Sequence, residues 1–210
     1  MKKEIARQLL SIGAVFLRPD QPFTWASGIL SPIYCDNRLI LTAPDARRIV
    51  EQAIADTVSR QYPECEVLMG TSTAGIAHAA IAGWLLGLPM GYVRSGAKDH
   101  GRGNQIEGKL LPGQRVVVIE DLISTGGSVI DVVDALREAG AEVLGVVSIF
   151  TYGMSKGVER LRAAGVVNTS LCDLDTLVEV AADGGYLGQA DKARLLAFRD
   201  NPSDEGWRTV

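Results

Sequence analysis

With 210 residues, the chain is long enough for one well-buried α/β core and too short for two full domains. A hydrophobic fraction of 47% beside 22% charged residues is that of a soluble globular protein, and a net charge of -4 argues against a nucleic-acid binder. Cys35, Cys65 and Cys172 share no metal-ligand spacing with the two histidines and are expected to be reduced, buried thiols.

The opening MKKEIARQLLSIG is basic at first but is interrupted by Glu4, Arg7 and Gln8, which makes it an amphipathic helix and not a signal peptide. A cytoplasmic location is expected. Ile5, Leu9, Leu10 and Ile12 form its apolar face, and Gly13 ends it. The pattern then changes to short strands, Ala14–Leu17, Phe23–Trp25 and Pro32–Cys35, separated by turn chemistry at 18–22 and at Ser27-Gly28. These residues are expected to form a flap over the core. Thr42, Pro44 and Asp45 are placed like a helix N-terminus, and that helix should run to about Arg60.

Glu66–Gly70 is the next buried strand, followed by the small-residue loop Thr71-Ser72-Thr73-Ala74-Gly75 and a helix through Leu86. Such a loop at the carboxyl edge of a parallel sheet is a cradle for a phosphate group, here a pyrophosphate. The apolar run Ala74–Leu88 is too short to cross a bilayer, so no membrane partner is expected. His78, between alanines, is expected to be a packed or partly exposed helical residue and not a catalyst. After a strand at Pro89–Val93, the segment 94–108 holds Arg94, Lys98, His100 and Arg102 among glycines, with no apolar anchor before Ile106. It should be a mobile loop whose cations close over a polyanion.

The stretch Arg115–Ser128, RVVVIEDLISTGGS, carries most of the chemistry. Val116, Val117, Val118 and Ile119 do not alternate with polar residues, which predicts a strand buried on both faces. From Ser128 onward Val129, Ile130, Val132, Val133 and Leu136 recur at helical spacing up to Gly140. In the loop between, Ser124, Thr125, Gly126, Gly127 and Ser128 offer backbone N–H groups and hydroxyls to a phosphate dianion. Glu120 and Asp121 can accept hydrogen bonds from vicinal sugar hydroxyls or hold the water shell of a magnesium ion. Together these tools point to a ribose 5-phosphate site. A Walker A lysine and a GxGxxG fingerprint are both missing from the stretch.

Strands at Glu142–Thr151 and Val166–Leu171 should flank a helix at Lys156–Ala164, and the tail Leu174–Arg199 should be helical. Strands alternating with helices predict an α/β fold with a mainly parallel twisted sheet covered by helices on both faces. The chain is expected to be a single domain, with a hood at about 1–40, a core at about 41–170 and C-terminal helices at about 173–200.

The stretch from Glu120 to Ser128 resembles the signature of the type I phosphoribosyltransferases. Phe23-Thr24-x-x-Ser27-Gly28-x-x-Ser31-Pro32-x-Tyr34 resembles the hood of their bacterial orotate-specific branch, the orotate phosphoribosyltransferases, and Arg94-x-x-x-Lys98-x-His100-Gly101 resembles its catalytic loop. Gly108-x-x-x-x-Gly113 and the tail, with Gly185-Tyr186 and 198–202, fit as well. The resemblance implies transfer of the phosphoribosyl group of 5-phosphoribosyl 1-pyrophosphate (PRPP) to orotate, with orotidine 5′-monophosphate and pyrophosphate as products and Mg²⁺ as cofactor.

It also implies that Lys98, His100 and Asp121 are catalytic, and that PRPP is bound by Arg94, Lys98, His100, Glu120, Asp121, Leu122, Ile123, Ser124, Thr125, Gly126, Gly127 and Ser128. Ser124 would also touch the orotate. A homodimer is implied in which Lys98 and His100 act on the neighbouring subunit's site. Ala26, Ala74, Ser95 and Tyr152 stand where some members carry basic residues, which leaves the partner of the orotate carboxylate unassigned. A purine-specific transferase is disfavoured by the hood motif and by Lys98-x-His100.

Overall fold

The computed structural model describes residues 1–25, 27–94 and 105–210. In chain order these form α1 (Lys2–Ser11), β1 (Val15–Leu17), β2 (Phe23–Thr24), β3 (Leu30–Ser31) and β4 (Ile33–Cys35), then a 3₁₀ turn (Asn37–Thr42). The core follows with α2 (Pro44–Gln61), β5 (Val67–Thr71), α3 (Ala74–Leu86), β6 (Met90–Val93), β7 (Ile106–Glu107), β8 (Arg115–Ile123) and α4 (Gly127–Glu138). Last come β9 (Glu142–Thr151), α5 (Ser155–Ala163), β10 (Asn168–Asp173), α6 (Leu174–Asp183), α7 (Asp191–Asp200) and a 3₁₀ turn (Glu205–Thr209).

Six strands make one sheet in the order β10-β9-β8-β5-β6-β7. All neighbours are parallel except β7, which returns antiparallel along β6. The unbroken apolar run of β8 is explained by the two layers around it. Val117 and Ile119 pack with Leu68, Val147 and Ile149 in the layer that α1, α2, α3 and α6 cover. Val116 and Val118 pack with Val67, Met69 and Val146 under α4 and α5. Each of these four β8 side chains is fully buried, a contribution of roughly 1.5–3 kcal/mol apiece before conformational entropy is charged against it. The sheet therefore has the expected mainly parallel order with helices on both faces.

The hood consists of two small antiparallel pairs, β1 with β4 and β2 with β3. The sequence reading missed β3 and the 3₁₀ turn, both too short to show periodicity. Gly13, at φ +66°, turns the chain out of α1 as expected.

Two expectations about element bounds are corrected. First, β8 does not stop at Ile119: it continues through Glu120 and Asp121 to Ile123, because β9 offers ladder partners as far as Thr151. Second, the strand expected at Val166–Leu171 begins at Asn168, because Gly165, at φ +62°, and the Val166 N–H bonded to the Leu161 carbonyl still belong to the end of α5. The tail forms C-terminal helices as expected, two of them, with a break after Asp183 where Gly185 takes φ +76°. The three cysteines are free and buried, as expected.

Candidate active site

Two loops meet at the carboxyl edge of the sheet. The first follows β5. A side chain on Gly75 would come within 2.5 Å of the Ile119 carbonyl and of Thr71 Oγ1, and one on Gly70 within 2.8 Å of the Gly75 carbonyl. Only glycine lets α3 start so close to β8. The Ser72–Thr73 peptide is cis. The second loop, Ser124–Gly126, leads from β8 into α4; Gly126 has φ +74°, a conformation in which a Cβ is strained.

Between them lies a cavity of about 410 Å³ whose walls include Thr71–Ala74, Arg94, Glu120, Asp121 and Ser128. The first βα loop and the acidic pair that the sequence singled out thus share one space with Ser128, the residue of the second loop that reaches it. Arg94 reaches it from the end of β6 and pairs with Glu107 of β7 at 3.3 Å. Lys98 and His100, together with Ser95 and Ala26, lie outside the described residues.

The acidic residues differ in environment. Glu120 is only 5% exposed; its Oε1 accepts from Thr71 Oγ1 at 2.7 Å and from the Asp121 N–H at 2.9 Å. Burial first, and then the adjoining Asp121 carboxyl, push the Glu120 carboxyl up to about 8. Asp121 is less buried and is held by its backbone, whose carbonyl accepts a hydrogen bond of 2.6 Å from Asn37 Nδ2. Asn37 is fully buried and in turn accepts from Cys35 Sγ at 3.2 Å. Neither Thr71 nor Asn37 was singled out in the sequence. Thr71 lies in the loop expected to cradle phosphate, but Asn37 sits in a segment without periodicity and gave no signal.

A second cavity, of about 420 Å³, adjoins the first across Leu122 and opens under the hood. Trp25, Tyr34, Leu122, Ser124 and Tyr152 line it. The rings of Trp25 and Tyr152 stand 5.5 Å apart, and Phe150 backs Tyr152 at 5.3 Å. Burial holds the Tyr152 hydroxyl well above the ordinary tyrosine range, so it stays a neutral hydrogen-bonding group. Slot-like aromatic walls of this kind suit a flat heterocycle.

His78 is fully buried in the contact of α3 with α2, with Nδ1 2.6 Å from Glu51 Oε1, and takes no part in the site. Among the described residues no three His, Cys, Asp or Glu side chains converge as a metal cluster. Among those residues, too, no helix is long and apolar enough to cross a membrane.

A small-residue loop after each of two neighbouring strands, an acidic pair at the end of one of them and an adjoining aromatic slot are the features expected of a phosphoribosyl-handling enzyme. A family model described as the phosphoribosyl transferase domain matches residues 39–176, and the chain belongs to that family. Within it, the relatives are specific. The chain is 58% identical over 210 residues, the whole of both proteins, to an orotate phosphoribosyltransferase of Bacillus cereus (strain G9842). It is similar to the crystal structure of orotate phosphoribosyltransferase from Aeropyrum pernix, with a TM-score of 0.76 and 30% identity over 88% of this chain and 99% of that one. The Leishmania donovani UMP synthase structure matches 94% of this chain with a TM-score of 0.81 and 28% identity, the match spanning 42% of that longer chain.

Proposed function

We propose that the chain is an orotate phosphoribosyltransferase of pyrimidine biosynthesis, joining orotate to PRPP to give orotidine 5′-monophosphate and pyrophosphate. The observation that carries the reading is that the polar cavity, with the first loop and the acidic pair, stands beside the aromatic slot with Leu122 as their common wall, and that the second loop reaches both, through Ser128 and Ser124. In this reading the 5′-phosphate rests on Ser124–Ser128, the ribose hydroxyls on Asp121 and Glu120, and the diphosphate on Thr71–Ala74 and Arg94. Orotate lies against Trp25 and Tyr152 beside Ser124.

In the transfer, the bond from orotate N1 to C1 of the ribose forms as the bond from C1 to the diphosphate oxygen breaks; the electron pair leaves with the diphosphate, and the N1 proton passes to the diphosphate or to water. Positive charge gathers on the ribose, where the Asp121 carboxylate stabilises it. Negative charge gathers on the leaving oxygens, where Arg94 and the loop residues Lys98 and His100 neutralise it. With its carboxyl near 8, Glu120 can both donate to and accept from a ribose hydroxyl at neutral pH.

The donors present suit Mg²⁺: Asp121 lines the cavity with Ser72, Thr73, Glu120 and Asp131, and among the described residues no three acidic side chains converge as an all-protein cage. Asp121 would hold an ion that keeps most of its water. When bound, that ion supplies charge neutralisation at the leaving group.

We also take the enzyme to be a cytoplasmic homodimer with Lys98 and His100 acting across the interface. The outward side of α3 supports dimerisation, since Trp84 is 82% exposed and Leu85 39% exposed on an otherwise apolar helix. The chemistry is tested by incubating the protein with magnesium, PRPP and, separately, orotate, uracil, adenine and hypoxanthine. Consumption of orotate alone is expected; consumption of another base with orotate untouched overturns the reading.

A further inference from the structure

We infer that Arg160 of α5 is a binding residue for the 5′-phosphate of the phosphoribosyl substrate. The inference rests on the reading of Ser124–Ser128 as the phosphate cradle and adds a cation that lies outside that loop.

Gly157, Arg160 and Leu161 share one side of α5, at helical spacings of three and four, and that side meets the cradle. At Gly157 a side chain would run into the Ser124 carbonyl oxygen, so glycine is what lets the helix come this close. Leu161 fills the space behind Gly126, whose added Cβ would stand 3.5 Å from Leu161 Cγ. Arg160 is the polar member of the trio. A Cβ built on Gly127 would stand 3.4 Å from Arg160 Nη1, which puts the guanidinium beside the first residue of α4.

No carboxylate of the described residues pairs with Arg160, and its guanidinium makes no hydrogen bond among them. Most other arginines near the surface do find acids, as Arg194 does with Asp20 and Asp191, and Arg199 with Asp175 and Asp200. Arg160 is instead held where the backbone N–H groups of Gly127 and Ser128 also present positive charge. The Arg160 side chain is exposed, and two positive features this close to each other are mutually unfavourable until an anion joins them. A phosphate dianion on the loop would accept from those N–H groups on one side and from the guanidinium fork on the other. The arrangement selects a ribose that carries a 5′-phosphate, because a nucleoside or free ribose leaves the guanidinium without its partner.

The test uses the full-length protein and two probes, ribose 5-phosphate and inorganic pyrophosphate, with affinities measured by calorimetry. Arg160→Ala is expected to weaken ribose 5-phosphate about tenfold, in keeping with a charge-assisted hydrogen bond in partial contact with solvent. Pyrophosphate binding should not change. Arg160→Lys should recover part of the loss, and in turnover the KM for PRPP should rise while the KM for orotate holds. If Arg160→Ala binds ribose 5-phosphate as the wild type does, or weakens both probes equally, the role of Arg160 is overturned. If wild-type protein fails to bind ribose 5-phosphate, or Gly126→Val binds it undiminished, the cradle itself is wrong and the inference falls with it.

Discussion

Asn37 and Asp121, 84 residues apart in the chain, are joined by a 2.6 Å hydrogen bond from the Asn37 amide to the Asp121 backbone carbonyl. The bond ties the hood to the end of the central strand at the residue read as holding the ribose. It leaves the Asp121 carboxylate free to face the cavity while its backbone is fixed.

Asn37→Ala should therefore act on both stability and turnover. The change removes the side-chain partner of the part-buried Asp121 carbonyl and of the buried Cys35 thiol, a loss of about 1–3 kcal/mol. Denaturant titration should show a lower midpoint, and kcat should fall more than the KM for PRPP rises. Unchanged kcat with lowered stability would confine Asn37 to a purely structural role.

Glu120 predicts a pH dependence of stability. Its carboxyl is raised in the folded chain from an ordinary 4.5 to about 8, so the folded state binds the proton more tightly than the unfolded state. Stability from this group is then fully present below about 4.5 and is lost as pH rises toward 8, by on the order of a few kcal/mol. Glu120→Gln, which keeps acceptors for Thr71 and the Asp121 N–H, should flatten that part of the profile. Thermal melts of both proteins from pH 5 to 8 check it: parallel curves would mean that Glu120 is ionised throughout.

Gly126→Val is expected to abolish PRPP binding. Valine at φ +74° is strained, and its branches would press on Leu161 and the Gly157 carbonyl of α5, which forces the loop out of the shape that receives the phosphate. Gly126→Ala should fall between wild type and valine in affinity. Equal affinity in all three proteins would remove the loop from the phosphate site.

Loop exchange between subunits is tested by mixing. Lys98→Ala with His100→Ala in one protein and Asp121→Asn in another should each be inactive, dimeric and folded. In a random mixture about half the dimers are mixed, and each of these holds one site with an intact core and an intact partner loop, so about a quarter of sites should recover. No recovery after verified subunit exchange would place Lys98 and His100 over their own subunit's site.

What could be read from the sequence was what local pattern specifies. Val116–Ile119 announced a doubly covered strand because both of its faces are apolar, and Gly140, at φ +86°, closed the following helix where expected. The small-residue loops at 71–75 and 124–128 could be found because their small and hydroxyl residues interrupt the apolar pattern between a strand and a helix. The end of β8 was hidden, since Glu120 and Asp121 are polar for reasons of chemistry while their backbone still pairs with β9. Asn37 and Thr71 act through contacts 84 and 49 residues distant, which no window of sequence contains. The tail announced helices, but not where the first ends at Asp183 and the second begins at Asp191.

Cys35 lies in the wall of the aromatic cavity, and its thiol touches Asn37. Burial holds that thiol well above the ordinary cysteine range, so in the closed hood it is neither reachable nor ionised. A thiol reagent can modify it only when β4 lifts away from the strand end, and the labelling rate of Cys35 becomes a clock for hood opening. Orotate seated in the cavity should slow that clock, while Cys65, at the far end of the sheet before β5, keeps its own time.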